Sequence, residues 1–250
     1  MRSLLKFLPI LLILIATAFW IIPGKEFAGC QAGRVFQKRR FNIRLPYGYS
    51  VHGIDVSRYQ MHIDWKKVVS AKDGKHQIRF AWIKATQGVN REDSLFNRNW
   101  RLCEEAGLLK GAYHYFEPQQ DSKKQALFFI RKVPLKSGDL PPMLDVEEQG
   151  HLTRKKLQVK VKVCLEELEK AYGVKPILYC NAKFYTDVLE SKFNDYPLWI
   201  AHYYKYEISK ELKWIIWQHS DKGMVPGIKG YVDFNVYRGN WESFNKLCIP

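Results

Sequence analysis

Between Tyr49 and Tyr237 the chain repeats one pattern: a short apolar or aromatic run, then a longer stretch whose apolar residues recur at helical spacing. The runs fall at residues 49–56, 80–86, 110–116, 143–147, 176–180, 198–202, 214–219 and 233–237, each of strand length. Between them Ser94 is placed to cap a helix bearing Phe96, Trp100 and Cys103, with Gly107 to end it. Asp121 heads a second helix with Ala126, Phe129, Ile130 and Val133, and Thr153 a longer one with Leu157, Val161, Cys164, Leu165 and Leu168 before Gly173. Striped helices alternating with buried strands imply a mostly parallel sheet covered on its outside. The fold class predicted is therefore α/β, a single TIM-like (β/α) barrel. The stretch 205–212 is short for a crossover helix, so the barrel is expected to be irregular.

Polar residues gather at the C-terminal ends of these runs, which is the rim where barrels of this kind carry their active sites. Asp55 ends the first run, Lys84 and Gln87 the second, Tyr113, His114 and Tyr115 the third, Asp145 and Glu147 the fourth, His202 the sixth, Gln218 and His219 the seventh. Asp233 instead opens the last run, so its position at the rim does not follow from pattern alone. In a strand, Asp145 and Glu147 would share a face about 6.6 Å apart along the axis. Such a pair can protonate a glycosidic oxygen with one carboxyl while the other steadies the positive charge on the sugar ring. The pair alone leaves the outcome open, since about 5 to 5.5 Å between the groups suits a protein nucleophile and about 6.5 to 9.5 Å admits a water.

Nine segments in order extend the pattern: HGIDVSRYQ (His52 to Gln60), IDWKKV, FAWIKATQG, GLLKGAYHYF, LPPMLDVE, LYCN, PLWIAHY, WIIWQHS and VDFNVYRG. Together they resemble the glycoside hydrolase family 25 lysozymes, the Chalaropsis-type N-acetylmuramidases, over essentially all of residues 49–241. The resemblance implies cleavage of the β-1,4 bond between N-acetylmuramic acid and N-acetylglucosamine in peptidoglycan. It implies Glu147 as general acid, Asp145 as the neighbouring carboxylate that orients the substrate's own 2-acetamido group as nucleophile, supporting roles for Asp55 and Asp233, and no metal or cofactor. One departure is visible: the family commonly has Glu where this chain has Gln87, which removes an acidic group from the rim.

Tyr113, Tyr115, Trp199, His202 and Gln218 are the candidate substrate contacts, with core packing the competing assignment for Tyr113, Tyr115, Trp199 and Tyr203. Trp65, Trp82, Trp100 and Trp214 are assigned to packing, and His52 and His114 to structural hydrogen bonding. Glu148 should point away from Glu147 into solvent. Two other functions compete with the enzyme: a glycan-binding protein of the same fold, which the intact Asp145–Glu147 pair argues against, and a metal-dependent hydrolase using His52, Asp55, Asp145, Glu147 and His202.

A composition 46% hydrophobic over 250 residues suits one core. Arg2 and Lys6 introduce an apolar stretch reaching Ile22, the layout of an export signal. Counted from Leu4 it would span about 28 Å as a helix, so a retained anchor competes with cleavage after Ala16, Thr17 and Ala18, and lipidation at Cys30 is a third outcome. The division expected is a signal peptide or signal anchor over 1–22, a basic linker over 23–48 and a catalytic domain over 49–250. Of the net charge of +15, +7 lies in residues 1–48, where eight basic residues oppose Glu26 alone. A basic stretch beside an export segment suits an anionic membrane surface, and the milder excess on the domain suits anionic wall polymers. No nucleic-acid motif accompanies it. The five cysteines have no metal-type spacing. The expected protein is exported, secreted or membrane-anchored, a monomer acting on peptidoglycan glycan strands.

Overall fold

The computed structural model describes residues 40–190, 192–205, 207–209 and 211–250. The segment 1–22 and the linker as far as residue 39, with Cys30, lie outside the described residues. Eight strands appear where the apolar runs predict them: β1 (His52–Val56), β2 (His76–Gln87), β3 (Leu109–Tyr115), β4 (Met143–Asp145), β5 (Ile177–Asn181), β6 (Leu198–Ala201), β7 (Trp214–Gly223) and β8 (Val232–Tyr237). They close a barrel. The pairs β1–β2, β2–β3, β3–β4, β4–β5, β5–β6 and β6–β7 are parallel. Within the ring of eight, β7–β8 and β8–β1 are antiparallel. A two-residue strand at Lys72–Asp73 and another at Arg91–Glu92 flank β2.

The outer layer follows the sequence stripes. Helices α1 (Trp65–Ser70), α2 (Phe96–Glu105), α3 (Ser122–Lys132) and α4 (Arg154–Tyr172) fill the first four crossovers. Asp121 and Thr153 cap α3 and α4 by accepting from the amides of Lys124 and Lys156, and Gly173 ends α4 with φ +69°. Ser94 does not cap α2: its N-cap is Leu95, whose amide instead donates to the Asp93 carboxylate at 3.0 Å. The β5–β6 connection holds only short helical turns over Ala182–Leu189, and no helix joins β6 to β7 among the described residues. The barrel is irregular on that side, as the short stretch 205–212 implies.

Strand alternation divides the core into two layers. Ile54, Ala81, Ile83, Ala112, Leu144, Val146, Leu178 and Ile200 face the helices, while Phe80, Trp82, Tyr113, Met143, Ile177, Tyr179, Trp199 and Ile216 fill the barrel. Two glycines make room for this filling. A Cβ on Gly53 would sit 2.2 Å from the Phe80 ring, and one on Gly111 2.4 Å from the Trp82 indole nitrogen. A C-terminal helix, α5 (Trp241–Asn245), lays Phe244 against Phe80 with ring centroids 4.6 Å apart and closes the end opposite the rim.

Packing extends ahead of the expected boundary at residue 49. Phe41 is fully buried, 5.1 Å from the Phe234 ring, and its carbonyl accepts from the Met224 amide at 2.9 Å. The described end of the expected basic linker therefore packs with the domain. A chain beginning at Leu45 should lose about 3 to 5 kcal/mol of stability relative to one beginning at Lys38, the usual cost of deleting a buried Phe. Urea unfolding of the two chains checks this, and equal midpoints would return Phe41 to the linker.

Candidate active site

The reversed last strand settles the position of Asp233. Because β8 runs antiparallel to β1, its first residues reach the rim where the other strands end, and Asp233 stands directly across from Asp55 in the register. Asp145, at the end of β4, is in register with Tyr115 and Tyr179. The strand stops there, two residues short of the predicted end, so Glu147 belongs to the loop above the barrel and is solvent-exposed. Glu148 is also exposed. Asp55, Asp145 and Asp233 thus form a sunken floor, and Glu147 stands at its mouth.

Their environments set them apart. Burial pushes the Asp55 carboxyl up to about 6, against the pull of amide donors from Asn235 and Gln218, with Glu147 adding repulsion. Asp233 is pushed up to about 8, again chiefly by burial and then by Asp55. Asp145 is driven well above the carboxylate range by burial and by Glu147, while Lys84 opposes the shift. The cleft walls strip enough water from Glu147 to raise it as well, with Lys84 opposing and Glu148 adding. Burial acts first in each case, and because two charges side by side are costly Asp145 and Glu147 ionise as a pair, so that a proton held on Glu147 leaves Asp145 to carry the charge.

One glutamine organises the floor. Gln218 Nε2 donates to Asp55 Oδ2 at 2.8 Å, and Asn235 Nδ2 donates to the same oxygen at 2.7 Å. Gln218 Oε1 in turn accepts from the hydroxyls of Tyr179 and Tyr203, each at 2.7 Å. Gln218, a candidate substrate contact by sequence, is therefore occupied by protein partners and holds Asp55 in place. Asp145 Oδ1 is different: it is buried and has no hydrogen-bond partner among the described residues. Lys84 Nζ donates to Gln87 Oε1 at 3.0 Å and lies 4.6 Å from the Tyr115 ring centroid. Gln87 Nε2 donates to Glu117 Oε1 at 2.7 Å, and Glu117 also pairs with Arg91. A carboxylate, Glu117, thus lies next to Gln87 and is already paired with Arg91.

Tyr113 lies buried beneath the carboxylates, and Tyr115 is half-buried beside Lys84. One sequence assignment fails. Trp199 is fully buried between Trp82 and Tyr179, with centroids 5.0 and 5.5 Å away, and has no surface to offer a sugar. His202, just past the end of β6, is half-buried, and burial followed by the nearby Lys205 lowers its proton affinity, while the Tyr203 hydroxyl beside it bonds Gln218. His52 bonds the Tyr49 carbonyl at 3.1 Å, and His114 bonds Thr86 and Gln125 at 2.7 and 3.2 Å, so both are structural. His52 and His202 do not converge with the carboxylates, and no group of three potential ligands is placed to hold a metal among the described residues. Tyr179 and Asn235 escaped the sequence reading, although each lies two residues from an inward-facing neighbour, Ile177 and Asp233.

The family model for glycosyl hydrolases family 25 matches residues 54–228, and so takes in Asp55, Asp145 and Glu147 and stops five residues short of Asp233. The chain belongs to that family. YegX of Escherichia coli K12, a relative that is itself uncharacterised, is 48% identical over 82% of this chain and 75% of its own length. Lysozyme M1 of Streptomyces globisporus is 31% identical over 76% of this chain and 68% of its own. Among solved structures, a family 25 glycosyl hydrolase from Bacillus anthracis superposes with a TM-score of 0.74 at 33% identity, covering 81% of this chain and 95% of that one.

The raised carboxyls of this family 25 chain set its pH dependence. Asp55 and Asp233 keep their protons to about 6 and about 8, whereas in the unfolded chain they ionise near 3.8. Above pH 4 the native state therefore binds more protons than the unfolded one, and stability falls as pH rises through 6 and 8. Asp233→Asn should remove part of that loss and raise the melting temperature at pH 8 more than at pH 5. A variant destabilised equally at both values would contradict the assignment.

Proposed function

We propose that this family 25 chain is a peptidoglycan muramidase that cleaves the β-1,4 bond between N-acetylmuramic acid and N-acetylglucosamine. The observation that carries the reading is the contrast within one carboxylate pair: Glu147 at the open mouth with its proton affinity raised, and Asp145 beneath it with a buried, unpartnered oxygen. Glu147 protonates the glycosidic oxygen as the bond to the anomeric carbon breaks. The acetamido carbonyl oxygen of the same sugar attacks that carbon, while Asp145 Oδ1 accepts from the acetamido N–H and steadies its growing positive charge. Water then opens the cyclic intermediate, giving its proton to Glu147. Gln218 and Asn235 keep Asp55 in a single orientation on the floor of the cleft. The lysozyme names of relatives such as that from Streptomyces globisporus support the substrate class.

Mass spectrometry of fragments released from purified peptidoglycan tests the bond. Reducing-end muramic acid is expected, and reducing-end glucosamine would sink the muramidase reading. Full activity is expected in EDTA, and a loss restored by added zinc would favour the metal-dependent alternative. The export segment and the basic charge before residue 49 support an extracytoplasmic site of action on the wall glycan. Cell fractionation distinguishes an anchored chain, found with membranes, from one cleaved after Ala18 and found in the soluble exported pool.

A further inference from the structure

Tyr59, Tyr204 and Tyr231 are 73%, 65% and 54% exposed, which is unusual company for three large side chains on neighbouring loops of one rim. They follow β1, follow β6 and precede β8, on the side of the barrel that carries Asp55 and Asp233. Scattered exposed tyrosines are common and would carry no argument. These three are each held from one side. Arg58 lies 5.5 Å from the Tyr59 ring centroid and Lys222 5.1 Å from that of Tyr231. The Tyr204 hydroxyl is bonded to Asp221, its ring lies 6.1 Å from that of Tyr203, and its backbone has φ +58°. That left-handed conformation favours glycine and is strained for a bulky residue, so the surrounding structure must impose it.

The loops bearing them are also fastened to one another. Gln60 Nε2 donates to the Tyr231 carbonyl at 3.3 Å, and the Asp64 amide to the Gly227 carbonyl at 2.9 Å. Tyr204 lies against Tyr203, whose hydroxyl bonds Gln218 beside Asp55, and Tyr231 precedes Asp233 by two residues, so these two rings stand next to the floor of the cleft, with Tyr59 joined to them through Gln60. Rings already fixed in place lose little freedom when a partner lies against them. Their open faces suit the apolar faces and acetyl methyls of amino sugars, and the hydroxyls suit a polar polymer.

We infer that Tyr59, Tyr204 and Tyr231 form a binding platform for the part of a β-1,4-linked amino-sugar strand that lies beyond the sugars at the carboxylates. The inference rests on the muramidase reading for its ligand class, and it adds that long strands bind better than short ones through this one side of the rim.

Calorimetry on the full chain carrying Glu147→Gln, which binds without turnover, tests it with two probes: a tetrasaccharide and an octasaccharide of alternating N-acetylglucosamine and N-acetylmuramic acid. The octasaccharide should bind about tenfold more tightly or better, equivalent to about 1.4 kcal/mol. Adding Tyr59→Ala, Tyr204→Ala and Tyr231→Ala together should erase that preference and leave tetrasaccharide affinity within about threefold. Each ring is exposed, so the variants should keep their melting temperature; single replacements serve if the triple variant does not fold. A length preference that survives the replacements, or none in the parent, overturns the platform while the muramidase reading stands. Failure of both probes to bind the parent overturns both.

Discussion

Glu147→Gln should lower the rate of peptidoglycan cleavage by a factor on the order of 100 or more, the usual scale for losing a positioned general acid. The amide keeps the size and two hydrogen-bonding groups of the acid but has no proton to transfer to the leaving oxygen. Because Glu147 is exposed and lies outside the strand, the replacement disturbs no packing, and the melting temperature should barely move. Glycan affinity should persist, which places the loss in kcat. The pH profile gives a second signature. The raised proton affinity of Glu147 should extend activity above the ordinary glutamate range, and that basic limb should vanish in the variant. Near wild-type turnover would remove Glu147 from the mechanism.

Asp145→Asn should be comparably damaging for a different reason. Asparagine retains a carbonyl that can accept from the acetamido N–H, but carries no charge to balance the positive charge the acetamido group acquires. The loss should again fall on kcat. A substrate whose acetamido group is replaced by hydroxyl should be cleaved poorly by the parent chain and no worse by the variant, since both changes remove the same interaction. A fluorinated sugar should leave no adduct on the protein. An adduct on Asp145 or Glu147 would replace assistance by the substrate with attack by a carboxylate of the enzyme.

The barrel was legible because its two signals, strand-length apolar runs and striped helices, come from the same requirement that each strand be covered on both faces. Asp55 and Asp145 were legible because they end such runs. Asp233 was not, since whether the last strand runs with or against its neighbours depends on how residues 224–231 turn, and a hairpin there reverses the sense of rim and base. Trp199 was misassigned because depth inside a barrel leaves no mark on periodicity: an inward residue one layer lower looks the same as one at the top. Gln218 could be located by its run, but its partners Asp55, Asn235, Tyr179 and Tyr203 come from four other parts of the chain and meet only through register around the closed sheet. Phe41 was hidden by its company, one aromatic among Lys38, Arg39, Arg40 and Arg44.

The reversed direction of β8 also decides where the chain can be handled. Leaving the sheet at the end away from the carboxylates, the chain runs through α5, and Ile249 exchanges two backbone hydrogen bonds of 2.9 Å with Gly138 and Asp139. A surface linker, a fluorophore or a fused module added after Pro250 would therefore emerge from the back of the barrel, leaving the mouth of the cleft open. Immobilising the protein by its last residue should present every copy with its cleft outward, whereas coupling through lysines would bury a share of the clefts, because Lys84 and Lys222 lie beside the mouth.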